Sequence, residues 1–384
     1  MAHHDRRHGP PQRHPGVTVG RLWGVPVSLT RSMLVLAVLV AGVYGAVAQR
    51  QLNLSPPAAY GLGAGFVGCL LGSVLLHELG HAVTARRCGL GVRGITLELL
   101  GGYTELDRDA PSPRVDLVVA AAGPVVSLGL GLVSVAAAVA LPSRSLLGQF
   151  AVHLALSNLT VAVFNALPGL PLDGGRVLRA GIWAWSRDRH VGTEVAGWGG
   201  RGVAVVITAV ALVLTLRGVL LPVGLVFTLL VAFAIWQGAG QAIRAARVSR
   251  RFPLIDVAAL ARPVVTVPSG TPLAEAQRRE AAAGDAECVL GVTDATGRLI
   301  GLVDHVAAGA VPAERRLVIP VDAVARTVEG VPSIPVGFTG EQVVRAVQTH
   351  PGAQYLVTAG EDVVGVLHIA DLAQLLEPNR KLNP

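Results

Sequence analysis

Six runs of roughly 20 mostly apolar residues recur along the first two thirds of the chain, near 32–50, 60–85, 115–141, 146–167, 201–217 and 219–240. Each is long enough to cross a bilayer core of about 30 Å as a helix. The last two are divided only by Arg217 and Gly218. Within the second run, Gly61, Gly65, Gly68 and Gly72 repeat at small-xxx-small spacing, which predicts close approach of another helix. From about residue 252 the pattern changes. Short valine-rich runs alternate with helical stretches, and charges of both signs mix. Val267-Pro268-Ser269-Gly270 and Ile334-Pro335-Val336-Gly337 each precede a helical pattern, and Arg298–Val303 matches Asp362–Leu367. This internal repeat predicts two copies of a strand–helix–strand–strand–helix unit. The expected organisation is a polar tail over 1–16, a transmembrane domain over 17–248, and two α/β copies over 252–314 and 315–378.

Composition agrees with a membrane protein. Of 384 residues, 52% are hydrophobic and 15% charged, against about 25% charged in typical soluble domains. Net charge is +7, which fits either nucleic-acid binding or basic membrane loops. The arginines decide. They cluster in the tail (Arg6, Arg7, Arg13), after the second run (Arg86, Arg87, Arg93), after the fourth (Arg176, Arg179, Arg187, Arg189, Arg201) and after the sixth (Arg244, Arg247, Arg250). Because basic loops favour the cytoplasmic side, the alternation predicts a multi-pass cell-membrane protein with both termini in the cytoplasm and no nucleic-acid partner. Cys69, Cys88 and Cys288 form no pair at metal or disulfide spacing. The histidine-containing tail reads as disordered, and the first apolar run as a retained helix, not a cleaved leader.

The chemistry begins at the end of the second run, where His77-Glu78-Leu79-Gly80-His81 forms HExxH. Residues four apart share a helix face. Both imidazoles can therefore reach one zinc, with Glu78 beside the open coordination position as the base that takes a proton from water. Composition alone would produce such a match in about one chain in a hundred of this length. Ionisable groups at membrane depth are costly and mark function. A third ligand must come from another segment. Asp173 lies just beyond the fourth run, where Pro168, Gly169 and Pro171 break the helix, and broken backbone at that depth is tolerated where it lines a cavity. Asn158 and Asn165 are on one face of the fourth run and are candidates for substrate contact.

His77-Glu78-x-x-His81, Phe164-Asn165-x-x-Pro168 and Leu172-Asp173-Gly174-Gly175-Arg176 together resemble the site-2 protease family, in the branch with a C-terminal pair of CBS domains. The resemblance implies one zinc per chain held by His77, His81 and Asp173, with Glu78 as base and Asn165 holding the substrate or the oxyanion. It further implies cleavage of membrane-anchored regulatory proteins, such as anti-sigma factors, within the membrane. Ser127 stands where many relatives have Asn, and it too can form hydrogen bonds.

Ile95, Leu97 and Leu99 alternate with Thr96 and Glu98, and Gly101-Gly102 permits a turn. A short β hairpin beside the zinc could hold an unwound substrate by strand addition. The expected fold is thus a helical membrane domain of about six spans with a β hairpin near the active site, plus a cytoplasmic tandem CBS module. In the second copy Asp371 occupies the position that holds ribose in nucleotide-binding CBS units, which makes adenine nucleotide a candidate ligand; a homodimer through the pair is the other expectation. The competing class is a CBS-regulated transporter or channel with Glu78 and Asp173 on an ion path.

Overall fold

A computed structural model describes residues 16–52, 54–98, 101–142, 145–284 and 288–376. Apart from Gly16, the expected disordered tail lies outside the described residues. The chain divides into two compact units, Met1–Ala246 and Arg247–Pro384.

The first unit opens with β1 (Val17–Leu22) and β2 (Val25–Leu29), an antiparallel pair turning at Trp23-Gly24. There follow α1 (Arg31–Leu52), α2 (Pro56–Arg87), β3 (Val92–Glu98), β4 (Gly101–Leu106), α3 (Pro113–Ala140), α4 (Leu146–Asn165), α5 (Asp173–Ser186), α6 (Arg189–Leu216) and α7 (Pro222–Ser249). Six of the helices, α1, α2, α3, α4, α6 and α7, are long and apolar enough to cross a membrane. At 14 residues α5 is too short to do so. The expected fifth span begins 12 residues late, since α6 already starts at Arg189 and contains Arg201. Its first half is rich in Gly and Ala and carries Glu194, so hydropathy marks only the second half.

The spacing of glycines in α2 misled in one respect. Gly61, Gly65, Gly68 and Gly72 have no neighbour where a Cβ would stand. The close approach is made by Gly63, whose Cβ would fall on the Ala41 carbonyl of α1, and by Gly80, whose Cβ would lie 3.0 Å from the Ala122 carbonyl of α3. Helix contact follows the face that turns inward, which the spacing of small residues alone does not reveal.

The expected hairpin is one half of a four-stranded sheet in the order β1-β2-β3-β4, with β2 and β3 parallel and β3 and β4 antiparallel. Gly101 and Gly102 do not form its turn; they pair with Glu98 and Leu97 as the first residues of β4. Val25, Val27, Ile95 and Leu97 pack with Ala82, Leu79 and Leu75 of α2. The sheet is thereby seated on the helical turns that carry HExxH, with β4 at its edge.

A further carboxylate, Asp116 on α3, is 0% exposed. Arg179 of α5 grips it through two hydrogen bonds, Nε to Oδ2 at 2.8 Å and Nη2 to Oδ1 at 2.7 Å, and Arg176 Nη2 stands 3.6 Å from Oδ1. The bidentate fit is the favourable geometry for a buried pair. It fixes α5, and hence its first residue Asp173, against α3. Outside the spans, hydrogen bonding to Arg189 holds the Asp109 carboxyl below its ordinary range and ties the start of α6 to the segment before α3.

The second unit contains α8 (Val257–Leu260), β5 (Arg262–Pro268), α9 (Leu273–Ala282), β6 (Val289–Thr293), β7 (Leu299–Val303), α10 (His305–Ala310), β8 (Ala325–Thr327), β9 (Ser333–Pro335), α11 (Gly340–Thr349), β10 (Gln354–Ala359), β11 (Asp362–His368) and α12 (Ile369–Leu376). Both copies show the expected strand–helix–strand–strand–helix order, and one sheet, β8-β7-β6-β5-β11-β10-β9, runs through them. The copies exchange their leading segments. Ile255 and Val257 pack with Ile334 and Tyr355 of the second copy, and Val321 and Val324 pack with Val267 and Leu290 of the first. The packing therefore divides the copies differently from the sequence repeat, because each leading segment covers the other copy's core.

Removing Asp116 would leave two guanidinium groups in the membrane unit without their carboxylate. Asp116→Ala is expected to lower unfolding free energy by about 3–5 kcal/mol, read by denaturant titration of the full chain in detergent; an unchanged midpoint would show that the pair does not hold α5.

Candidate metal centre

Two helices meet at one point. α2 presents His77 and His81 four residues apart on one face, and α5 presents Asp173 at its first position. His77 Nε2 lies 3.0 Å and His81 Nε2 3.1 Å from Asp173 Oδ2, and the two Nε2 atoms are 3.3 Å apart. Both histidines are buried and Asp173 is nearly so.

The rings are held from behind. His81 Nδ1 is 2.7 Å from the Val119 carbonyl, which can only accept, so Nδ1 carries the proton and Nε2 of the neutral ring offers a lone pair. His77 Nδ1 is 2.8 Å from Ser127 Oγ. With Ser127 accepting from His77 Nδ1, both Nε2 lone pairs and Asp173 Oδ2 face one point, an arrangement suited to holding a cation. The spacing fits zinc: ligand atoms about 2.0–2.2 Å from a tetrahedral centre stand roughly 3.3 Å from one another. Gly123 of α3 supplies the space, since a Cβ there would fall on both Nε2 atoms.

Glu78 is 3% exposed and points toward β4. Thr104 Oγ1 donates to its Oε2 at 2.8 Å and lies 3.1 Å from its backbone carbonyl. Gly102 makes room for it, because a Cβ there would stand 2.8 Å from Glu78 Cγ and 2.9 Å from Oε1. One carboxylate oxygen is engaged by the sheet edge, and no hydrogen bond from a described residue engages Oε1.

The loop that delivers Asp173 is closely packed. The Cβ of a residue at Gly174 would meet the Ala166 and Leu167 carbonyls, so the start of α5 folds back on the chain that leaves Asn165. Leu170 N donates to Ala196 O of α6 at 2.9 Å, and Gly200 of α6 abuts the Leu170 carbonyl. Asn165 is half-buried at the last position of α4. Asn158 is buried and its Nδ2 donates to Leu154 O of its own helix at 2.9 Å. Asp116 and its two arginines, Thr104, Gly102 and Gly123 were missed by sequence reasoning. The signals available were a lone carboxylate in an apolar run and glycines near HExxH.

In the second unit, Asp371 is gripped by Arg262 at 2.9 and 2.8 Å. His368, three residues before it, is held below its ordinary pKa by burial and by the nearby Arg262.

The chain is similar to known proteins over most of its length. The pattern of peptidase family M50 matches residues 65–152 and 139–210. Rip3 of Mycobacterium tuberculosis, which bears a zinc metalloprotease name, is 32% identical over 378 residues, 96% of this chain and 94% of that protein. Among solved structures, the site-2 protease of Methanocaldococcus jannaschii is 26% identical with a TM-score of 0.42, covering 59% of this chain and 95% of its own. A CBS-domain-containing protein of Agrobacterium tumefaciens is 21% identical with a TM-score of 0.23, covering 30% and 84%.

The supports behind the rings can be tested without any assay of catalysis. Ser127→Ala is expected to weaken zinc affinity about 10–100-fold, and Gly123→Ala to abolish it, both measured by competition with a chelator on folded protein. Equal affinity in all three proteins would show that this cluster does not hold the metal.

Proposed function

This chain belongs to peptidase family M50, the site-2 proteases, and we propose that it cleaves peptide bonds in or beside the transmembrane segments of membrane-anchored regulatory proteins. The observation that carries the reading is the meeting of three converging acceptors, a buried carboxylate and an open strand edge at one turn of α2. In this reading His77, His81 and Asp173 hold one zinc ion. Zinc, when bound there, polarises a carbonyl and makes water a stronger acid.

Every other part of the reaction belongs to the chain. Glu78 takes the proton of the attacking water and passes it to the departing amine. Thr104 fixes the carboxylate so that Oε1 remains the proton acceptor. A helical substrate hides its peptide bonds in its own hydrogen bonds, so it must be unwound before attack. Among the described residues β4 has one strand neighbour, and its outer edge offers the backbone groups to which an extended peptide can add. Asn165 stands where the chain turns toward Asp173 and is assigned to the substrate or the oxyanion. Asn158 lies two turns away on the same face and retains Oδ1 for substrate contact, one Nδ2 hydrogen being engaged by Leu154 O.

The arginine distribution supports cytoplasmic termini. A single-span regulator already trimmed outside, of the anti-sigma type, fits a buried site that a large folded domain could not reach. The CBS pair is assigned a regulatory or dimerising role. Adenine nucleotide is its candidate ligand, and binding through Asp371 requires its carboxylate to exchange Arg262 for ribose hydroxyls.

Glu78→Gln is expected to keep full zinc stoichiometry and lose peptide hydrolysis by several orders of magnitude in a reconstituted assay; a variant that still cuts at the wild-type rate would remove Glu78 from the mechanism. In the same assay, a substrate span carrying Gly or Asn should be cut faster than one stiffened with leucine. Equal rates would end the argument for unwinding.

A further inference from the structure

We propose that α6 and α7 together bind the phosphate headgroup of an anionic phospholipid through Arg201. The guanidinium carbon of Arg201 lies 4.8 Å from the ring centre of Trp198 and 4.9 Å from that of Trp236. The indoles attract the cation through their π faces. They accept none of its N–H bonds, all five of which lie in the guanidinium plane. Its Nε is buried, and the side chain forms no hydrogen bond or ion pair with any described residue. In contrast, Arg179 is matched by Asp116, Arg189 by Asp109 and Arg262 by Asp371.

Such an edge asks for oxygen acceptors with negative charge, and a phosphate matches the guanidinium fork. The surroundings favour a lipid as the source. Trp198 is 51% and Trp236 42% exposed. At helical spacing from them, Val195 and Val205 on α6 and Phe233 and Leu229 on α7 are exposed as well, so this flank is an apolar surface of two membrane spans. Arg201 is 12 residues from the start of α6, about 18 Å along its axis, in the half of the helix that begins with charged residues. Tryptophan is enriched where acyl chains meet headgroups. Gly240 of α7 lies beside the guanidinium, where a Cβ would stand 3.5 Å from Arg201 Nη2.

The site is independent of the peptidase reading, and its test needs no catalysis. Full-length protein in neutral detergent would be melted with dioleoyl-phosphatidylglycerol, with dioleoyl-phosphatidylcholine and with inorganic phosphate. Phosphatidylglycerol should raise the melting temperature by several degrees at a few mole per cent, phosphatidylcholine by much less, and millimolar phosphate not at all. Arg201→Gln should lose the phosphatidylglycerol shift, and Arg201→Lys, which keeps charge without the planar fork, should lose at least half of it. Brominated phosphatidylglycerol should quench indole fluorescence of the wild type more than brominated phosphatidylcholine does, which gives a readout that needs no variant. An undiminished lipid shift in Arg201→Gln, or quenching equal for the two lipids, would overturn the proposal. An equal response to inorganic phosphate would replace the lipid by a soluble anion. Displacement of phosphatidylglycerol by an acidic peptide spanning a substrate's membrane boundary would assign Arg201 to a protein carboxylate instead.

Discussion

The close approach of His77, His81 and Asp173 sets the terms for the membrane unit. His77 Nε2, His81 Nε2 and Asp173 Oδ2 stand within 3.3 Å of one another in a buried setting, where polar groups need a partner. Each of the three is held in place by a support behind it. A backbone carbonyl of α3 fixes one ring, a hydroxyl of α3 fixes the other, and the Asp116–Arg179 pair fixes the helix that carries the carboxylate. All three supports come from α3. The helix with no proposed ligand of its own is the one on which the site is assembled.

The same helix explains the pattern of small residues. Gly80 lets α2 lie against α3, and Gly123 leaves the space in front of the rings. At Gly123 and Gly102 the missing side chain leaves room for the His77 and His81 rings and for Glu78. Larger residues at any of them would separate groups whose chemistry depends on near contact.

Much of this arrangement was legible in the chain, to a degree set by how local each feature is. His77 and His81 could be paired because a helix fixes the geometry of residues four apart. Asp173 stood out because carboxylates are rare next to apolar runs and because two prolines broke the helix before it. Asp116 was equally visible as a charge, but its partner Arg179 is 63 residues away, and no period connects them. Thr104 looked like any strand threonine until β4 was seen against Glu78. The strands over 17–29 carried a usable signal, alternating Val17 and Val19, Val25 and Val27 around Trp23-Gly24, which the long apolar run after them obscured. Arg201 was counted with the loop arginines because hydropathy recognises a span by its apolar half.

Asp173 follows His81 by 92 residues and His77 by 96. A ribosome adding about 5–20 residues per second needs several seconds to make that interval. During that time α2 is already in the bilayer with two imidazoles and a glutamate. A pair of imidazoles alone chelates weakly, and the carboxylate reaches them only after α4 has crossed and α5 has docked by its arginine on α3. The order of synthesis thus brings the three side chains of the cluster together late.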